Sequence, residues 1–145
     1  MSRFGLRAFA REAALAADVV ERLSVHCEDI GQIVSTLSGG NQQKVVIGKW
    51  LATTPRILLL DEPTRVIDVG AKEEIYDLIF KLAADGLAII VVSSEMPELL
   101  LLSDRVLVMC EGQQTGLLRR ADATQEAVMR LAAPVAATRF AELQA

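Results

Sequence analysis

Two short stretches of this sequence carry residue types that, taken together, could hold and cleave a phosphoanhydride. The first is Leu37-Ser38-Gly39-Gly40-Asn41-Gln42-Gln43-Lys44. Behind it Val45, Val46, Ile47, Trp50 and Leu51 recur at roughly helical spacing, which predicts a helix over 42–53 with Ser-Gly-Gly at its N-terminus. Unpaired N–H groups and the positive end of the helix dipole gather there and attract phosphate, and glycine lets the backbone come close. The second stretch is Ile57-Leu58-Leu59-Leu60-Asp61-Glu62-Pro63. Four consecutive aliphatic residues read as a strand buried on both faces, as in a parallel sheet, and Asp61-Glu62 emerge at its C-terminal end, where α/β sheets bind ligands. In phosphoryl transfer such an Asp holds Mg²⁺, and the adjoining Glu can orient and deprotonate the attacking water. Taken singly, Ser-Gly-Gly is more often an ordinary turn with an N-cap, and Asp-Glu-Pro a solvated turn. Their order in one chain points to a nucleotide site.

Longer runs narrow the reading. Asp61-Glu62-Pro63-Thr64-Arg65-Val66-Ile67-Asp68-Val69-Gly70-Ala71-Lys72 and Val92-Ser93-Ser94-Glu95-Met96-Pro97-Glu98, with the serine-glycine loop before them, resemble the second cassette of ribose- and xylose-type monosaccharide importers. These are ABC transporters whose ATPase subunit carries two fused cassettes. The resemblance implies an α/β fold, an incomplete P-loop NTPase core of about three parallel strands with flanking helices. It lacks the Walker A half, because no Gly-x-x-x-x-Gly-Lys-Ser/Thr loop occurs in the chain. It makes residues 1–132 the C-terminal portion of a nucleotide-binding cassette and 133–145 a tail. In the family, the signature loop of one cassette closes over ATP held by the phosphate loop of another. By position, Ser38, Gly39, Gly40 and Asn41 would contact the γ-phosphate, Asp61 the Mg²⁺ and Glu62 the water, with Asp68 in the loop that crosses to the partner. ATP and Mg²⁺ are implied only in a complete composite site. The implied partners are a cassette with an intact phosphate loop and the permease subunits of a membrane complex, which places the chain in the cytoplasm at the inner face of the cell membrane.

Departures from the pattern are as informative. Ser94 stands where most cassettes carry a histidine, and the second cassette of these importers similarly has Ser-Ser-Glu. His26, the single histidine, precedes the signature loop and reads as an ordinary surface residue. Asn41 replaces the commoner Gln, again as in this subfamily. Val66 and Leu101 occupy positions where the family pattern has Gly. A β-branched residue in a turn that needs positive φ is strained, and the loss of both glycines with the front half suggests a decaying gene fragment.

The elements that must position these motifs follow from periodicity and breakers. Helices are expected at 8–24, 42–53, 70–84, 95–102 and 123–132, and strands at 56–61, 87–93, 105–110 and 115–118, the last two joined by a turn at Glu111-Gly112. Gly86 stops one helix, Asp122-x-x-Gln125 resembles a capping box for the last, and Pro134 ends it. Asp68 has a second role available, as N-cap of the helix through Tyr76. Arg3, Arg7 and Arg11 recur every four residues as in some transit peptides, but Glu12, Asp18 and Glu21 argue against targeting and for a solvated helix face.

Composition excludes several classes. The 145-residue length fits one domain, and a net charge of −4 gives no basic footprint for nucleic acid. Cys27 and Cys110, far apart in sequence, read as reduced thiols, with no zinc spacing around them. The aliphatic runs Leu87–Val92 and Leu99–Leu102 fall short of the roughly 18 residues a membrane helix needs. Hydrophobic residues nevertheless make up 52%, high enough to expect exposed apolar surface and self-association. Two functions fit: an ATPase half-site that powers sugar import beside a cassette with a phosphate loop, or a non-catalytic fragment or interaction module with no ATPase activity alone.

Overall fold

The computed structural model describes residues 9–65 and 67–133, and the backbone of Ser2–Arg3 and Leu6–Arg7. The chain divides into two compact units, Met1–Ile90 and Val91–Ala145.

The first unit opens with β1 (Ser2–Arg3) paired antiparallel with β2 (Leu6–Arg7), so Arg3 and Arg7 lie on strands and do not continue a helical stripe. Helix α1 (Phe9–Arg22) follows. It stops in a Schellman-type turn: the N–H of Val25 donates to the Val20 carbonyl at 2.9 Å and that of Ser24 to Glu21 at 3.3 Å. Ser24 takes the left-handed position with φ of +49°, where glycine is usual. After a short 3₁₀ turn at Val34–Thr36 comes α2 (Gly39–Leu51), which starts three residues earlier than its apolar spacing suggests. The cause is local. Ser38 is extended, and its carbonyl already accepts the first helical hydrogen bond, from the N–H of Gln42 at 2.9 Å.

Strand β3 (Ile57–Asp61), helix α3 (Val69–Ala84) and strand β4 (Ala88–Val92) form a strand-helix-strand unit, with β3 and β4 side by side in a small parallel sheet. Gly86 ends α3 as expected: at φ of +93° its N–H reaches the Ala83 carbonyl, while the N–H of Leu87 reaches Leu82. Leu58 and Leu60 of β3 pack into a core with Ile47 of α2 and Ile75, Leu78, Ile79 and Leu82 of α3. Gly48 permits the close approach of α1 to α2, since a Cβ there would overlap a Val19 methyl.

Burial of β3 on both faces is not observed. Leu58 and Leu60 are buried, but Ile57 is 55% and Leu59 72% exposed, and Ile90 of β4 is 51% exposed. The helices of this unit cover one face of the sheet only, so side chains alternate between core and solvent with the strand period of two. An apolar sheet face of this kind is a docking or aggregation surface. Leu59→Glu is therefore expected to lower the mean particle mass in concentration-dependent light scattering. A monodisperse monomer before substitution would contradict that expectation.

The second unit holds α4 (Met96–Leu102), β5 (Arg105–Cys110), β6 (Gln113–Arg119) and α5 (Gln125–Ala132). β5 pairs antiparallel with β6, turning through Glu111 and Gly112, whose φ values of +50° and +78° fit the two left-handed positions of a type I′ hairpin. Among the described residues the sheet of β3 and β4 thus has two strands rather than about three, and β5 belongs to a hairpin. Val106, Val108 and Val128 form this unit's core with Leu100, Leu118 and Leu131 packed against it. The last helix is capped by Thr124, whose hydroxyl accepts from the N–H of Ala127 at 3.1 Å, and not by Asp122. The N–H of Asp122 instead closes a turn onto the Arg119 carbonyl, which places Asp122 two residues short of the cap. Pro134 and the rest of the expected tail beyond Ala133 lie outside the described residues.

Candidate nucleotide half-site

Ser38 is the N-cap residue of α2, yet its side chain caps nothing in the helix. Its Oγ accepts a hydrogen bond from Asn41 Nδ2 at 2.8 Å, and Asn41 Oδ1 in turn accepts from the backbone N–H of His26 at 2.8 Å. Two consequences follow. Since Ser38 Oγ is an acceptor from Asn41, its own proton is free to donate outward. The first-turn N–H groups at Gly39, Gly40 and Asn41 keep no side-chain acceptor from the cap residue, so they present partial positive charge at the helix start. Asp68 behaves differently: its Oδ1 caps α3 by accepting from the N–H of Ala71 at 2.9 Å. Its local role as N-cap, one of two readings of the sequence, is thus present in the fold.

The starts of α2 and α3 meet. Gly40 is buried, and a Cβ built on it would lie 2.7 Å from Ala71 Cβ, closer than side chains tolerate. Glycine at 40 is required by this contact rather than by positive φ. Four residues further along α2, Lys44 is buried, and its Nζ donates to the Ser24 carbonyl at 3.0 Å and to Glu74 Oε2 of α3 at 2.8 Å. Sequence reasoning missed this lysine. The signal was present, because Gly40, Lys44, Ile47 and Gly48 fall on one helical face and all four are buried.

The hydrogen bond and positive charge of Lys44 hold the Glu74 carboxyl below its ordinary value of 4.5. A carboxyl whose value is depressed on folding contributes stability above its unfolded value and loses it as pH falls through the folded one. With the Glu74 side chain 51% exposed, screening keeps this contribution below about 1 kcal/mol. The unfolding free-energy difference between the native chain and Glu74→Gln should be steady from neutral pH to about 4.5 and then shrink on further acidification. Urea titrations across that range check it, and a difference that grows with acid contradicts it.

Asp61 ends β3 exposed to solvent, and Glu62 follows with φ of +48°, a left-handed conformation that a non-glycine residue holds only at a cost. Pro63 and Thr64 are buried behind it, and the N–H of Arg65 donates to the Glu62 carbonyl at 3.1 Å, closing a tight turn. The acidic pair thus sits on a strained bend at the C-terminal edge of the strand. The Gly40–Ala71 contact sets the start of α2 against the first turn of α3, which Asp68 caps, whereas Asp61 and Glu62 lie at the end of β3, before the connection to Asp68. Among the described residues no three His, Cys, Asp or Glu side chains are grouped to hold a metal ion. Val66 lies outside the described residues. Leu101 falls inside α4 and is not among the positive-φ residues, so no turn glycine is needed there. Ser94 lies in the connection from β4 to α4.

The family model for ABC transporters matches residues 7–65. The ribose import ATP-binding protein RbsA of Rhodopirellula baltica is 52% identical over 132 residues, which cover 91% of this chain and 26% of that protein. RbsA 2 of Rhizobium johnstonii is 53% identical over 131 residues, with 90% and 26% covered. The chain belongs to the ABC transporter family. Its cassette fold is matched by a solved ATP-binding cassette, dimeric and bound to ADP and phosphate in a post-hydrolysis state, at TM-score 0.65 and 26% identity over 82% of this chain and 51% of that one. An ABC transporter solved in an inward-facing conformation, at 16% identity, shares the fold at TM-score 0.75 over 90% of this chain and 51% of that one. The cassette described here spans about a quarter of the length of the curated relatives it matches. Among the described residues, no helix is long and apolar enough to cross a membrane.

Proposed function

We propose that the chain supplies the signature-loop and Walker B side of a composite ATP site in a monosaccharide importer. The uncapped start of α2 carries this reading. α3 and α5 receive side-chain caps from Asp68 and Thr124, whereas Ser38 makes no such cap and its hydroxyl is held by the side chain of Asn41 in the first turn of α2. A helix start left open in this way, with two glycines, suits an anionic oxygen. ATP with Mg²⁺, when bound, supplies the phosphoanhydride and the ion that neutralises it. Ser38 donates its hydroxyl proton, and Gly39, Gly40 and Asn41 their N–H groups, to the terminal phosphate. Asn41 fixes the serine rotamer, with its own amide oriented by the His26 N–H. Asp61 provides a carboxylate to the metal, and Glu62 accepts a proton from water at the strand edge. Asp68, through its cap on α3, shapes the loop facing the partner.

In this reading the partner is a cassette that brings the phosphate loop, and permease subunits anchor the pair at the inner membrane face. The names of the relatives support a pentose or hexose as cargo. Positioning and charge stabilisation dominate catalysis of phosphoryl transfer, and the loop and lysine that cradle the β- and γ-phosphates come from outside this sequence. Purified chain alone should therefore release phosphate from ATP at the buffer rate. Steady release that disappears in Glu62→Gln would show a complete site in this chain and overturn the division of labour.

A further inference from the structure

We infer that Lys44 is a positioning residue, a buried ammonium that fixes the signature helix against α3 and so holds Ser38–Asn41 and Asp68 in register; the inference rests on the half-site reading above. Stability does not account for it. The lysine side chain is only 5% exposed, so its charge loses most of its hydration, while its partner Glu74 is 51% exposed and attracts it through screened solvent. Burying a charge for so weak a pair contributes little to folding, and an apolar side chain of the same length often does as well. What an apolar side chain cannot do is specify orientation, the role best attested for buried polar groups.

The geometry shows which orientation is specified. Gly40 meets Ala71, and four residues along α2 and three along α3 Lys44 meets Glu74. At about 1.5 Å per residue the two joints lie about 6 Å apart on α2 and about 4.5 Å apart on α3. The first is an apolar contact, which sets how near the helices come but lets them slide and turn. The second is directional. It is anchored by the lysine's other hydrogen bond, to the carbonyl of Ser24 in the left-handed turn that ends α1. One side chain thereby ties three elements together directly behind the residues proposed to face the phosphate and the partner.

The test reads helix register directly and then its use. In a Cys27→Ser, Cys110→Ser background, spin labels at Lys49→Cys on α2 and Asp77→Cys on α3, both exposed positions, report the interhelix distance by double electron–electron resonance. Lys44→Met should keep the far-UV circular dichroism of the native chain but broaden or shift that distance distribution, and Lys44→Arg should restore it. ATP-dependent pairing with the first cassette of a ribose-type importer should weaken at least about tenfold in Lys44→Met and largely recover in Lys44→Arg. If Lys44→Met does not fold, Glu74→Gln, which keeps the packing, should still broaden the distribution. A folded Lys44→Met, or Glu74→Gln in its place, with the native distribution overturns the inference. A broadened distribution with no pairing even by the unsubstituted chain upholds the register assignment and overturns the half-site reading instead.

Discussion

Ser38→Arg is expected to abolish ATP-dependent association with a cassette that carries an intact phosphate loop, while leaving the fold of the first unit unchanged. Ser38 is exposed and extended, so an arginine there meets no steric barrier within the chain. Its effect falls on the ligand side. The substitution removes the hydroxyl that Asn41 orients and places a long, bulky side chain across the N–H groups of Gly39 and Gly40. The added positive charge would attract phosphate in isolation, but a composite site demands close backbone approach, and bulk at the helix start prevents it. Loss of the complex on size exclusion, at nucleotide concentrations that saturate the native pair, checks this. Unimpaired complex formation by a folded Ser38→Arg would show that the loop does not meet the nucleotide.

Gly48→Val should destabilise the first unit by about 2–3 kcal/mol. The Cβ alone would overlap a Val19 methyl and lie 3.0 Å from Leu23 Cδ1, so α1 and α2 must separate or leave their rotamers. Valine's somewhat better helix propensity recovers only about half a kcal/mol, well short of the overpacking cost. The midpoint of urea unfolding measures the difference. A shift within error of zero would mean that α1 is not held on α2 as described.

The motifs were legible because each couples a local signal to a chemical one. Ser38-Gly39-Gly40 precedes an apolar periodic run, and Asp61-Glu62 ends an aliphatic one; both lie where the sequence places them, at the start of α2 and the end of β3. Gly86 and the Glu111-Gly112 turn were legible for a similar reason, since left-handed backbone leaves few residue choices. Burial was less so. Ile57-Leu58-Leu59-Leu60 reads as a strand covered on both faces, but a strand's composition states what it can bury and not what is present to cover it, and Leu59 is the most exposed of the four. Lys44 was obscured by its place in the motif. It closes the Ser-Gly-Gly run, whereas its partners Ser24 and Glu74 lie 20 and 30 residues away, and only the packing of three helices brings them to it. Asp122 and Thr124 were a near miss of the same kind. Both are good caps, and the turn closed by the Asp122 N–H decides between them.

A chain that is one side of a composite nucleotide site should bind a second cassette only when nucleotide bridges the two, and co-elution reads that dependence. Mixed with the first cassette of a ribose-type importer on size exclusion, the chain should form a 1:1 complex in ATP with Mg²⁺ under conditions that block hydrolysis, and separate in ADP or without nucleotide. No complex in ATP, or one that persists equally without nucleotide, would contradict the account and leave the chain an interaction module or an inactive fragment.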